Sequence, residues 1–529
     1  MVNRGKPSLD CQHCKRRKLR CDLQLPTCGQ CGRAGIHCFG RRDPNELIIL
    51  DQTHSTSRKV LPNHVLRCPS TSASPAIPCP LLPALEVRAR EAFFSNYVFG
   101  FSRSHGALAG LYQAAGADDP LSAAVDAAAL LFLAKHYQTP GRVAAPVRSS
   151  SSGHELSRLA TAQYVTAIKR LGNALHASRP ANTDAALQTA LVLDLYEKLA
   201  ATGEPGPKAV SGGEGEGALA WMSHVRGALS LVRAYGLVRR LASPVTRRLA
   251  ARLAMTLVIS CGAAGTHVPR ELAELRTGLG PYFAKRVVET SRAGRVMGPA
   301  ALHLDPKFAV TGVVAGVVNL AADVGQGTLS PDEVSLQALV LDQRFVEMEQ
   351  ALPSSWHFTR VSTDGKYPRV YAGYYDLYSD HYVTQVRNVL RTMRLLLAKI
   401  VIVYGDTETT TGTNCQRHNS KIYVAIEKLC DEIASSVPQF TWAKARTESK
   451  IPFTPLQSLQ CFTLLSPLYA AGQLTCRREL QSWILTTLDY MANSGGLHMA
   501  KMVAEVLRRA PETSYWHVYS MLGSYAFAA

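Results

Sequence analysis

Six cysteines within the first forty residues constrain this chain more than anything else in it. Cys11, Cys14 and Cys21 form one ladder, Cys28, Cys31 and Cys38 form a second with the same spacing, and each cysteine recurs 17 positions later. A segment this short, with few large apolar side chains, cannot build an ordinary hydrophobic core, so metal has to supply its folding energy. Tetrahedral zinc takes four ligands and suits thiolates. Two zincs need eight ligand positions; six sulfurs meet that number when two of them bridge, and the equal spacing suggests one bridge from each ladder. A single four-cysteine site leaves two thiolates idle and does not explain the repeat. Disulfides belong to oxidising compartments, and Met1 to Lys6 leads into polar sequence with no apolar signal core, which reads as an intracellular chain. His13 and His37 fall between cysteines of a complete set and read as non-ligands.

Charge is concentrated on one of the two ladders. The 529 residues carry a formal charge of +18, which favours a polyanionic partner. Residues 1–42 hold ten Lys/Arg against Asp10 and Asp22. Five of the ten, Lys15, Arg16, Arg17, Lys18 and Arg20, lie inside the first ladder, whereas the second encloses only Arg33. A metal-fixed module with one positive face fits double-stranded DNA, where cations hold phosphates and directed donors read base edges.

The sequence divides into three stretches: a cluster module over 1–45, a linker over 46–83 and a helical region over 84–529. The linker holds Pro62, Pro69, Pro75, Pro78, Pro80 and Pro83 and the Ser/Thr-rich run Ser70 to Ser74, a composition that disfavours helix. Beyond it the period is helical. Leu187, Leu191, Leu195 and Leu199 share a face; Trp221, Val225, Ala228, Leu229 and Val232 share another, with Gly236 placed as a C-terminal cap. Val383 to Val403 and Leu480 to Met491 read the same way. Breaks fall at Thr139–Gly153, Thr202–Gly217 and Thr407–Thr413. Clear strands are scarce, so the fold expected is a small metal-stabilised zinc cluster module plus one large all-α region. Phe308 to Val324 is the most apolar run; it is interrupted by Asn319 and Asp323 and shorter than the ~20 residues of a span, so it reads as a buried helix and no membrane partner is expected.

The string Cys11-Gln-His-Cys14-Lys-Arg-Arg-Lys-Leu-Arg-Cys21-Asp22, followed by Leu25-Pro26-Thr27-Cys28-Gly-Gln-Cys31 and Cys38, resembles the fungal binuclear zinc cluster transcription factors. The resemblance implies two Zn2+ ions, bridged by Cys11 and Cys28. Cys14 and Cys21 then complete one metal and Cys31 and Cys38 the other. Pro26 matches the family's loop proline, which is often cis. The family reads CGG-type triplets in the major groove, which makes Lys18 the leading base reader, with Arg17 assisting and Lys15, Arg16 and Arg20 on phosphates. The helical region resembles the family's regulatory domain at Asp126–Ala134, at Trp221 to Ala228 and at Pro467–Gly472. By the same resemblance the chain is a nuclear regulator of RNA polymerase II genes. Its partners are then co-regulators or the transcription machinery, and members of this layout often control secondary-metabolite gene clusters. Asn45–Leu50 is too short for a zipper, which leaves monomeric binding or a homodimer formed through the helical region.

The helical region offers little chemistry. His224, one turn from Trp221, reads as a satisfied core histidine. Cys415 and His418 have metal-like spacing but no second pair, and Cys415 reads as a free thiol in a loop. Cys68, Cys79, Cys261, Cys430, Cys461 and Cys476 are scattered. Gly213–Gly217 lacks a preceding strand and carries acids, so it is no phosphate cradle. An enzyme is therefore not expected. An adaptor that uses the zinc module for protein contact is the alternative, and the cations crowded into one ladder argue against it.

Overall fold

The computed structural model describes residues 9–38, 40, 83–136, 150–176, 182–201, 216–287, 301–405, 412–442, 444–445 and 453–523. The chain divides into two compact units, Met1–Leu82 and Pro83–Ala529. Apart from Pro83, the linker read over 46–83 lies outside the described residues, as do the Asn45–Leu50 patch, Cys68 and Cys79.

In the first unit two short helices, α1 (Gln12–Arg16) and α2 (Gly29–Arg33), surround a core made of the six cysteines, with Leu23 and Ile36 against it. The second unit is helical throughout most of its length. It begins with α3 (Leu85–Ala92), which runs on into a π-helical stretch over Phe93–Phe101, then α4 (Leu108–Ala114), α5 (Pro120–His136), α6 (Ser150–His176), α7 (Thr183–Ala201) and α8 (Glu216–Ala234). Next come α9 (Pro244–Ala264), α10 (Glu271–Phe283), α11 (Pro306–Gln326), α12 (Pro331–Gln350), α13 (His381–Tyr404) and α14 (Gly412–Ser436). The C-terminal part holds α15 (Pro438–Thr441), α16 (Pro455–Phe462), α17 (Leu465–Leu474), α18 (Arg478–Asn493), α19 (His498–Arg509) and α20 (Tyr515–Met521).

Two antiparallel hairpins interrupt the all-α expectation. β1 (Ala284–Val287) pairs with β2 (Ala301–Leu304), and β3 (Thr359–Ser362) with β4 (Tyr374–Leu377). Each strand is four residues long, too short to show an alternating pattern in sequence.

Central helices are buried on most of their faces. In α5 every residue from Ala127 to Ala134 is buried, which suits a helix flanked by α3, α6 and α7. The Leu187, Leu191, Leu195 and Leu199 face of α7 is buried as its spacing predicts, and so is the opposite face. Helix ends follow local chemistry. Ser330 and Glu333 form a reciprocal capping box at α12, with Pro331 in its first turn. Gly236 adopts φ +57° just past α8, where the sequence put a cap.

Helix α11 contains the run Phe308 to Val324. It extends over 21 residues, long and apolar enough on length and composition to cross a membrane, so the length argument against a span fails. Its burial is what identifies it as a core helix: Val310, Val313, Val314, Val317 and Val318 are covered, with α9, α12 and α13 packed around it. Cys415 is a second correction. Its backbone, with that of His418, belongs to α14 rather than to a loop, and their side chains lie outside the description.

Candidate metal centre and nucleic-acid interface

Each ladder folds into the same device. Cys11 (φ −60°, ψ 152°) caps α1 with its own sulfur, which accepts from the Cys14 amide at 3.5 Å. Cys28 (φ −66°, ψ 148°) does the same for α2, accepting from Cys31 at 3.4 Å. Extended backbone at these two positions turns the sulfur over the helix N-terminus, where amides have no intrahelical acceptor. Both helices then close through the same left-handed turn. The Lys18 amide reaches Lys15 O at 3.2 Å and the Leu19 amide reaches Cys14 O at 2.9 Å; in the second copy Gly35 reaches Gly32 O at 3.2 Å and Ile36 reaches Cys31 O at 3.1 Å. Lys18 has φ +53° and Gly35 φ +62°. The 17-residue repeat is thus a repeat of backbone conformation as well as of cysteines.

The two devices bring all six sulfurs together. Cys11 and Cys28 are 3.8 Å apart, Cys11 and Cys31 3.7 Å, and Cys14 and Cys28 3.6 Å. A disulfide would close to about 2.05 Å, so these are separate thiols. Tetrahedral zinc with Zn–S near 2.3 Å places its sulfurs about 3.8 Å apart, and the observed separations match. The sulfurs fall into two groups of four, Cys11, Cys14, Cys21 and Cys28 in one and Cys11, Cys28, Cys31 and Cys38 in the other, with Cys11 and Cys28 common to both. All six residues are buried. Neither His13 nor His37 belongs to a sulfur group.

The protonation of the free thiols is uneven. Burial raises Cys14, and pushes Cys31 up to about 12. Backbone hydrogen bonds from Cys28 and Gly40 hold Cys38 down to about 7. Metal that binds here has to expel protons from the inner thiols, and the attraction of two dications supplies that work. Two Zn2+ against six thiolates leave a net negative cluster, which neighbouring cations offset.

Asp22 ties the halves together, and nothing in its sequence context announces this. Its carboxylate accepts from the Gly29 amide at 2.9 and 3.1 Å and from the Gln24 amide at 3.4 Å, so it caps α2 from the first ladder. A Cβ on Gly29 would stand 2.5 Å from Asp22 Oδ2, so glycine is needed for this close approach. The Leu25–Pro26 peptide is cis.

Lys15, Arg17, Lys18 and Arg20 are exposed around α1 and the turn after it; the Arg16 side chain lies outside the description. On the second half Arg33 is exposed, and its Nε donates back to Gly29 O at 3.3 Å. The structure therefore sets Lys15, Arg17, Lys18 and Arg20 on the surface of a buried sulfur cluster.

Of the other candidates from sequence, His224 makes packing and hydrogen-bond contacts. His224 Nε2 lies 2.7 Å from the Tyr164 hydroxyl, edge-on to its ring, and burial lowers its pKa. Cys261, Cys430 and Cys461 are buried and Cys476 is exposed. Sequence reasoning missed a charged interior. Asp194 and Lys198, one turn apart on α7, pair at 2.8 Å with both side chains 1% exposed. Arg252 on α9 is also buried, donating to Ser104 Oγ at 2.5 Å and to His105 Nδ1 at 2.9 Å. Four-residue spacing on α7 was the available signal for the pair, but the same spacing marks solvated pairs.

Comparison with known families agrees with this arrangement. Residues 10–46 match the fungal Zn(2)-Cys(6) binuclear cluster domain, a module that binds two zinc ions. Residues 94–510 match the fungal specific transcription factor domain. No curated protein and no solved structure matches the chain.

Proposed function

The chain belongs to the fungal Zn(2)-Cys(6) transcription factors that carry a C-terminal fungal-specific domain, and on that premise we propose that it reads CGG-type triplets in the major groove of double-stranded DNA. It is a transcription regulator with a DNA-binding zinc cluster, and its two families are not enzyme families. The observation that carries the finer reading is the asymmetry of the cluster: exposed Lys15, Arg17, Lys18 and Arg20 on one half, and Arg33 on the other. Cys11 and Cys28 bridge two zincs in this reading, with Cys14 and Cys21 on one metal and Cys31 and Cys38 on the other. Lys18 donates to guanine O6 and N7, the commonest specific contact, with Arg17 beside it; Lys15, Arg16 and Arg20 hold phosphates.

Gel shifts with the full chain on CGG-containing and scrambled duplexes, with and without a zinc chelator, test the reading. Preference for CGG that disappears with chelator supports it; binding that ignores both sequence and chelator sinks it and favours a protein-contact module. Phosphate contacts add a salt signature, with log affinity falling by about 0.9 per contact against log salt. The families are generally nuclear, and the reading places the chain in the nucleus, acting on RNA polymerase II genes. Control of a secondary-metabolite gene cluster rests on likeness of layout alone. Genome-wide mapping of bound sites tests it, since dispersed sites would remove it.

A further inference from the structure

The helical unit contains a cavity whose lining is unusual for a protein interior. It has a volume of about 140 Å³ and lies among α9, the end of α10, the start of α11 and Tyr382 of α13. Five cationic side chains line it, Arg103, Arg248, Arg252, Arg276 and Lys307, against one carboxylate, Asp305. Arg252 and Lys307 are buried, Arg276 is half-buried, and Arg103 and Arg248 are exposed at the rim; buried cations are costly unless opposite charge compensates them.

Asp305 is the one carboxylate in the lining, and its charge acts on Lys307. Asp305 caps α11, accepting from the Phe308 amide at 3.2 Å. Arg103 pairs with Asp380, outside the lining. Arg252 meets Ser104 and His105 at this end, and burial keeps His105 neutral. Tyr97 and Asp194 also act on Arg252 and are not part of the lining. Arg276 donates to Phe308 O at 2.8 Å and lies 4.3 Å over the Phe308 ring. Gly312 permits that placement, because a Cβ there would come within 2.4 Å of the guanidinium. Lys307 Nζ stands 4.9 Å from the centre of the Tyr382 ring.

Besides Ser104, Thr311 and Tyr382, the rest of the wall is apolar. Phe283 and Phe308 stack in parallel, with centroids 4.7 Å apart and 4° between their planes. Ala251, Ala254 and Met255 of α9 complete it. A cavity with aromatic and methyl walls and an excess of cations in its lining fits one ligand chemistry, an acid group on a compact apolar body. The volume lies below the roughly 300 Å³ at which drug-sized pockets begin, so the body is no larger than a single ring. We infer that this cavity is a binding site for a small carboxylate whose acid group meets Arg248, Arg252 and Lys307 and whose apolar body lies against Phe283 and Phe308.

This site is independent of the DNA reading, and the test does not involve DNA. Thermal unfolding of the full chain is followed at constant ionic strength with benzoate, cyclohexanecarboxylate and the neutral isostere benzamide. Both acids should raise the melting temperature saturably and benzamide should not, since the amide has no charge to offer. Arg248→Ala, at an exposed position, and Lys307→Met should each weaken acid binding about tenfold. The inference is overturned if neither acid stabilises the chain up to millimolar concentration. Equal stabilisation by benzamide overturns it too, as does wild-type affinity in both variants.

Discussion

Lys18 is where stability and recognition pull in opposite directions, and one pair of substitutions separates them. Its backbone has φ +53°, in a turn that the second ladder builds with Gly35 at φ +62°. An L side chain in the left-handed region costs about 1–2 kcal/mol. Lys18→Gly recovers that cost and loses roughly 0.4–1 kcal/mol to the freer unfolded chain. The net expectation is a cluster more stable by about 0.5–1 kcal/mol, while Lys18→Ala leaves the turn as strained as before. On the DNA side the two variants should be alike. Both remove a donor worth about 1–3 kcal/mol of base discrimination, so preference for the CGG duplex over a scrambled one should fall by roughly fivefold or more. Fluorescence anisotropy on the two duplexes at fixed salt reads the second quantity, and competition for zinc by a chelator reads the first. Undiminished preference in Lys18→Gly refutes Lys18 as a base reader. Equal weakening on both duplexes, with a salt slope shallower by about 0.9, makes it a phosphate contact instead. A glycine variant that surrenders zinc faster than wild type refutes the strain argument.

Three further outcomes follow from the structure. Asp22→Ala removes the carboxylate that caps α2 and should destabilise the cluster by about 1 kcal/mol, seen as several-fold faster zinc loss to chelator; unchanged loss would show the cap to be idle. Asp194→Leu removes the carboxylate paired with buried Lys198 and should cost about 3–5 kcal/mol in urea unfolding, whereas Asp194→Leu with Lys198→Met should lie within about 1 kcal/mol of wild type; a double variant as weak as the single one refutes this. Lys307 is driven down to about 7 by burial first and Arg252 second, from an ordinary 10.5. Its unfolded form therefore takes up a proton before the folded form does, and the folded state bears a cost that is complete below about 7 and gone above 10.5. Lys307→Met should raise the urea midpoint most near pH 6, and its advantage over wild type should shrink steadily toward pH 9; a constant advantage would contradict the linkage.

What could be read from sequence, and what could not, follows from the range over which each feature is determined. The cluster is legible because metal coordination fixes residue type and spacing together: a tetrahedral site accepts few donors, and the chain between them is short. The left-handed turn at Lys18 is not legible from Lys18, since lysine does not announce that conformation. It becomes legible only through the repeat, because the residue 17 positions on is Gly35. Asp22 escapes notice because its partner amide lies seven residues away, in the other half of the module. The helical periods placed α7, α8, α13 and α18, but a period reports one apolar face. It cannot report that the polar face of α7, with Asp194 and Lys198, is covered as well. The cationic cavity is the limiting case. Its five charges come from positions 103 to 307, on elements that meet only in the folded unit. Each one alone is an ordinary surface arginine or lysine. Their meaning arises only when the helices bring them to one cavity, so no local motif in the helical region reports them.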